Sequence, residues 1–221
     1  MSNATDAAPR ASSGRPRQSD VELRMRQLVE CAADLFIANG YHQVSLGAIA
    51  REAKVAVRTI YVKFGGKAGL FDAMLRSHRE TFFIDMPPMD LDGRSLEEVL
   101  YDFARRYLRL VTSERAVAMQ RMVITEAPNN PELSRGFMQA GPEPTLGLLA
   151  AFFALPDVRR QLRPDCSPER LARHLITCLM GDYLCRLLSA GATPIQAPSE
   201  ASIREALALF LNGSGRPNPQ P

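Results

Sequence analysis

The 221-residue chain is 46% hydrophobic and 23% charged, enough apolar material for one large helical domain or for a small domain joined to a medium one. No apolar run approaches the roughly 20 residues that span a bilayer, and the first 20 residues lack the apolar stretch of a secretory leader, so a cytoplasmic location is expected. The formal net charge of +3 is unevenly spread: residues 1–85 hold 12 Lys and Arg against 9 Asp and Glu, whereas residues 86–221 hold 15 of each.

Residues 1–19 carry Arg10, Arg15 and Arg17 with almost no large apolar side chain, the composition of a disordered basic arm. A helical pattern begins at Asp20, with Leu28, Ala32, Leu35 and Phe36 on one face, and it stops at Asn39-Gly40, where Gly supplies a left-handed cap. Ser45 then stands as N-cap of a short second helix whose inner face is Leu46, Ile49, Ala50 and Ala53. After Lys54-Val55-Ala56, the run VRTIYVKF places Val57, Ile60, Tyr61 and Phe64 at i, i+3, i+4 and i+7, a third short helix. Gly65-Gly66 breaks the chain. A fourth helix runs from Lys67 through Leu70, Phe71, Met74, Leu75 and Phe82 to Met86-Pro87-Pro88.

Leu96, Val99, Leu100, Phe103, Tyr107 and Leu110 predict a fifth helix of about 16 residues, and Glu114–Ala127 a sixth. Asn130-Pro131 opens a seventh, which Gly141-Pro142-Glu143-Pro144 must kink or break before Leu146, Leu149, Phe152 and Phe153 resume the pattern. Ser167-Pro168 opens an eighth with Leu171, Leu175, Leu179 and Leu184 on its stripe and Gly181 at a point of close approach. Ser199 opens a ninth with Ile203, Leu207, Phe210 and Leu211, ended by Gly213. No alternating strand and no internal repeat is found, so the fold class is all-α: a three-helix helix-turn-helix domain followed by a helical bundle, about nine helices in all.

Two very short helices joined by a few residues serve mainly to present the second to a DNA major groove. Ala50, Lys54 and Ile60 hold the places such a motif needs: a small residue for the close crossing, a turn residue, and an apolar anchor. The only three lysines, Lys54, Lys63 and Lys67, fall within 14 residues and, with Arg51 and Arg58, face the single acid Glu52. A charge cluster alone is as readily a solvated face; at the second helix of this motif it suits phosphates. Val57, Arg58 and Thr59 lie where side chains reach base edges, Arg58 being suited to a bidentate contact with guanine. Ser45, Tyr61, Lys63 and Lys67 suit the backbone, Ser45 and Lys67 marking helix N-termini.

The stretch from Val44 to Phe71 resembles the DNA-binding signature of TetR-type regulators, carried here by Ser45, Ile49-Ala50, Thr59-Ile60-Tyr61, Phe64, Lys67 and Leu70. The resemblance implies phosphate contacts from Ser45, Tyr61 and Lys67 and base contacts from Val57 to Thr59. Two positions depart from it. Lys54 stands where Gly is usual, costing about 1–2 kcal/mol if left-handed, and Ala56 replaces the Ser that caps the third helix, losing roughly 1 kcal/mol. The segment Met122–Pro142 is similar to the AefR-like branch of the family. That likeness implies an effector pocket among helices four to seven and a homodimer through helices eight and nine. Phe103, Tyr107, Met119, Met122, Phe137, Met138 and Phe152 are the candidates to line the pocket, although each singly suits plain core.

The implied organisation is a disordered basic arm at 1–19, a DNA-binding domain with its connecting helix at 20–85, a ligand-sensing and dimerisation domain at 86–212, and a disordered tail at 213–221. The expected function is that of a ligand-responsive repressor, a dimer released from a double-stranded operator by a small apolar or amphipathic molecule. Its rival is a helical protein-interaction module without DNA binding. No cofactor, metal, membrane partner or catalytic residue is expected. Gly66-Lys67 is not a phosphate loop, because Ala68 sits where Ser or Thr must hold magnesium, and no GxSxG or HExxH is present. His78 and His174 read as helix residues, Asp182 as the partner of Arg186 one turn on, and Cys31, Cys166, Cys178 and Cys185 as reduced core thiols.

Overall fold

The computed structural model describes residues 18–84, 86–189 and 195–215. The first helix, α1 (Gln18–Asn39), buries Leu28, Val29, Ala32, Ala33 and Phe36 along one face. Gly40 ends it at φ 81°, its N–H donating to the Phe36 carbonyl at 2.9 Å. Then come α2 (Leu46–Glu52), α3 (Val57–Phe64) and α4 (Lys67–Phe83). Phe36, Tyr41 and Phe71 meet at centroid distances of 5.1, 6.2 and 5.5 Å and fix α1, the following turn and α4 together. Full burial of each such side chain is worth about 1.5–3 kcal/mol.

Next, α5 (Leu96–Thr112) opens on a capping box in which Ser95 and Glu98 each bond the other's backbone N–H. A single Ser113 then separates it from α6 (Glu114–Glu126), whose first turn it caps by accepting from Ala116 N–H. As expected, Asn130 caps α7 (Pro131–Ala140) with Pro131 in the first turn. The Gly141-Pro142 step breaks the helix rather than kinking it: Gly141 N–H closes on Phe137, and Pro142 starts α8 (Pro142–Ala154). A short α9 (Pro156–Arg159) leads to α10 (Pro168–Met180), α11 (Tyr183–Leu188) and α12 (Glu200–Ser214). Among the described residues these twelve helices are joined by no strand, only by an isolated bridge between Leu162 and Gly215.

The count exceeds nine because the seventh and eighth helices are each divided and α9 stands between them. Gly181, at φ 48°, ends α10, and the change of direction resets the helical register. Tyr183 and Leu187 therefore turn inward, while Leu184, expected on the buried stripe, is 59% exposed. Nothing lies within 4 Å of a Cβ built at Gly181, so its role is the backbone break and not a close approach. Nor does Gly213 stop the last helix. It continues to Ser214, whose buried hydroxyl donates to Phe210 O at 2.7 Å and whose carbonyl accepts from Arg163 N–H at 2.9 Å. Of the segments expected to be disordered, 1–17 and 216–221 lie outside the described residues, while Gln18–Ser19 belong to α1 and Gly213–Ser214 to α12. The four cysteines are free, but Cys178 and Cys185 are exposed rather than core residues.

Two main apolar cores result. The first joins α1–α4 and draws in Met119, Met122 and Val123 of α6 and Leu133 and Ala140 of α7. The second joins α5, α8, α9, α10 and α12 around Phe103, Leu149, Phe153, Leu175 and Leu207. Tyr183 ties α11 to the α5–α6 corner: its hydroxyl donates to Val111 O at 2.7 Å and accepts from Gln120 Nε2 at 3.0 Å.

Candidate nucleic-acid interface and apolar cavity

In the α2–α3 unit, Ile49 and Ile60 are fully buried and Ala50 nearly so, which lets α3 cross close to α2. Ser45 caps α2 by accepting from Ala48 N–H at 3.1 Å. The turn closes by Val55 N–H donating to Ala50 O at 2.9 Å, and it does require a left-handed residue, Lys54 at φ 54°. Ala56 gives α3 no side-chain cap. At the other end of α3 the packing is tighter than the sequence pattern reveals. A Cβ on Gly69 would lie 1.7 Å from the Phe64 carbonyl oxygen, so α4 starts directly against the last turn of α3.

This frame leaves one face of α3 in water. Val57, Arg58, Tyr61, Val62 and Lys63 are exposed, Thr59 is half-buried, and Ser45 is exposed beside them. No acidic residue lies within α3, and Arg51 and Lys54 add exposed cationic side chains at its N-terminal side. Lys67 differs. Its ammonium donates to His42 O at 3.2 Å and sits 4.5 Å from the Tyr41 ring centroid, and burial lowers its pKa, opposed in part by Glu126.

A second feature lies between α4, α5, α6, α7, α8 and α10: a cavity of about 240 Å³ with a mostly carbon wall. Tyr107, Met119 and Phe137 of the sequence candidates stand in that wall. The others are placed elsewhere. Phe103 is sealed behind Tyr107, the rings stacked at 5.7 Å, and on its other side it meets Phe83 at 6.3 Å. Met122 faces the first core, Phe152 packs on Phe153 at 5.6 Å in the second, and Met138 is exposed. A helical stripe identifies a buried face; which of its residues border empty volume depends on how neighbouring helices cross.

Polar residues in the wall went unrecognised in the sequence: His78 and Arg79 from α4, Gln120 from α6 and Thr145 from α8. The available signal was positional. His78 falls four residues after Met74, in the middle of the apolar stripe of α4. Burial, reinforced by the Arg115 guanidinium and opposed by Glu30, holds its imidazole below the usual 6.5. Burial also pushes the Tyr107 phenol up to about 12. The Arg79 Nε is buried and has no hydrogen-bond partner among the described residues. His174 is exposed, and Asp182 bonds Arg186 at 3.1 Å as expected. No metal-holding group of His, Cys, Asp and Glu occurs among the described residues, and no described helix is long and apolar enough to cross a membrane.

Two elements reach from the cavity to the helix-turn-helix. One is α4, which carries Leu70 and Phe71 in the first core and Leu75, His78 and Arg79 in the cavity wall. The other is α6, bonded at one end to α1 and at the other to the turn that follows α1. Arg115 pairs with Glu30 at 2.5 Å and Asp34 at 3.1 Å on α1, while Glu126 accepts from His42 N–H at 3.2 Å.

Both parts of the chain match known protein families. Residues 28–74 match bacterial regulatory proteins of the tetR family, and residues 98–213 match the C-terminal domain of AefR-like transcriptional repressors. The chain is 36% identical over 67 residues to the HTH-type transcriptional regulator HbdR of Aromatoleum sp. (strain CIB), covering 30% of this chain and 29% of that protein. It is 34% identical over 98 residues to the HTH-type transcriptional repressor BdcR of Escherichia coli (strain K12), covering 42% and 48%. The chain thus spans less than half the length of these curated relatives. Among solved structures, the flavonoid-responsive regulator FrrA superposes with a TM-score of 0.70 at 29% identity over 89% of this chain and all of that one. NalD, the secondary repressor of the MexAB-OprM multidrug efflux pump in Pseudomonas aeruginosa, shares the fold at 0.61 and 22% identity, over 88% and 98%. With one match that runs from within its first helix to within its fourth and another over more than half its length, the chain belongs to the TetR family of transcriptional regulators and carries an AefR-like C-terminal domain.

Proposed function

We propose that the protein is a ligand-responsive repressor, binding a double-stranded operator as a homodimer and releasing it when a small apolar or amphipathic molecule fills the cavity between α4 and α8. The observation that carries this reading is the unobstructed cationic face of α3, backed by a helix, α4, that also walls the cavity. Arg58 reads a guanine edge, Val57 and Thr59 meet neighbouring bases, and Ser45, Tyr61, Lys63 and Lys67 hold phosphates. On DNA the Lys67 ammonium exchanges the His42 carbonyl for a phosphate oxygen. The dimer forms through α10 to α12, a reading supported by the exposed Leu184, Leu188 and Leu209, the last 68% exposed, on the outer side of α11 and α12. It holds two copies of α3 about one DNA turn apart, ~34 Å or a multiple. Ligand selects a conformer in which α4 swings and the spacing is lost. The role is regulatory rather than enzymatic and belongs to the cytoplasm.

The test begins by selecting bound sequences from random duplexes. Arg58→Ala is expected to cost about 1–3 kcal/mol of discrimination between the selected duplex and random DNA. Lys67→Ala weakens both alike and lowers the salt slope by about one. Equal losses on both duplexes for Arg58→Ala would remove its base-reading role, and no duplex binding in dilute salt would leave the protein-interaction module as the better account.

A further inference from the structure

We infer that the cavity between α4 and α8 is built for an organic anion, a one- or two-ring acid whose carboxylate or phenolate meets Arg79 while its carbon body lies against Met119 and Phe137. This rests on the sensing role proposed above and specifies its ligand class. Arg79 is a charged side chain in the described wall, and neither Asp nor Glu stands there with it. It forms no ion pair among the described residues, and its Nε is buried without an acceptor. A buried guanidinium donor that no described residue answers is an unusual arrangement, because native structures pair such groups.

No ion pair of a described acid reaches it. Glu30, which acts on His78 beside Arg79 in the wall, is engaged by Arg115. The Gln120 side chain is held by its Nε2, which donates to Val111 O and the Tyr183 hydroxyl. A cationic guest would meet Arg79 with nothing of opposite charge in the described wall, and a neutral one would offer the buried Nε–H at most an uncharged acceptor, a weaker bond than a carboxylate makes. An acid supplies the missing acceptor in the planar geometry that a guanidinium prefers. A cavity of about 240 Å³ has room for the carbon body of a one- or two-ring acid. Because Arg79 belongs to α4, an anion that draws on it acts on the helix seated against α3.

The experiment uses the full chain with 2-naphthoate and its neutral isostere 2-naphthamide. The protein contains no Trp, so naphthalene fluorescence reports binding directly. Wild type is expected to bind naphthoate about tenfold more tightly than naphthamide. Arg79→Met removes that preference and leaves naphthamide affinity unchanged; Arg79→Gln carries the same comparison if the Met variant does not fold. Equal binding of the two probes by wild type, a preference that survives in Arg79→Met, or binding of neither probe at millimolar concentration each overturns the anion site. Operator binding measured alongside separates the two readings. An Arg79-dependent preference with no change in operator affinity would keep the site and remove the sensing role.

Discussion

The helix-turn-helix and the cavity are made in opposite ways. In α2 and α3 the working residues lie within about twenty positions of one another on two short helices, and the same helical period that buries Ile60 turns Arg58 and Tyr61 outward. The cavity is assembled from six helices, and residues up to about a hundred positions apart, such as His78 and Met180, share its wall. A locally encoded surface tolerates little change in its backbone frame, whereas a volume enclosed by long helices is set by side-chain size and helix crossing.

The largest expected effect tests the rigid region. Gly69→Ala drives a methyl into the Phe64 carbonyl and is expected to destabilise the fold by about 3 kcal/mol, read by chemical denaturation together with loss of duplex binding. A cost below about 1 kcal/mol would show that the α3–α4 junction yields, and the contrast with the cavity would weaken. Lys54→Gly works in the other direction within the same unit. Relief of the left-handed backbone, less the greater entropy of glycine, should raise stability by about 0.5–1 kcal/mol.

In α8, a helix of the cavity, Gly147 has nothing within 4 Å of a built Cβ. Gly147→Ala is therefore expected to stabilise by about 0.5–1 kcal/mol, where the same substitution at Gly69 destabilises. If both glycines respond alike, backbone contact is not what separates the two regions.

The smallest effect appears only on acidification. The folded-state pKa of His78 lies below its ordinary 6.5, so the unfolded chain takes up this proton first as pH falls. The neutral imidazole's contribution is complete above 6.5 and is lost as pH drops through the lowered value. Wild type should lose stability relative to His78→Gln between pH 7.5 and pH 5.5 in melting experiments, and a gap independent of pH would place His78 in a more solvated setting.

Caps and periods were legible because each depends on a few neighbouring residues. Ser45, Asn130, Ser167 and Ser199 were read as helix starts, and each accepts a backbone N–H within its own first turn. The left-handed turn at Lys54 was legible only through the family resemblance, in which Gly is usual there, and the four residues between α2 and α3 do take it. Leu184 and Gly213 were misplaced because one left-handed step at Gly181 and one long-range bond from Arg163 to Ser214 override local pattern.

The sequence by itself determined the all-α class, most helix starts and inner faces, and the exposed cationic row on α3, but not the division at Gly181 or the short α9, since hydrophobic period and capping act over one or two turns. Only the tertiary structure decided that Tyr107 borders the cavity while Phe103 is sealed behind it, that Arg79 and His78 enter its wall, and that Lys67 rests on Tyr41 and His42. Those outcomes depend on the angles and distances at which whole helices pack, which are fixed by many side chains far apart in the chain.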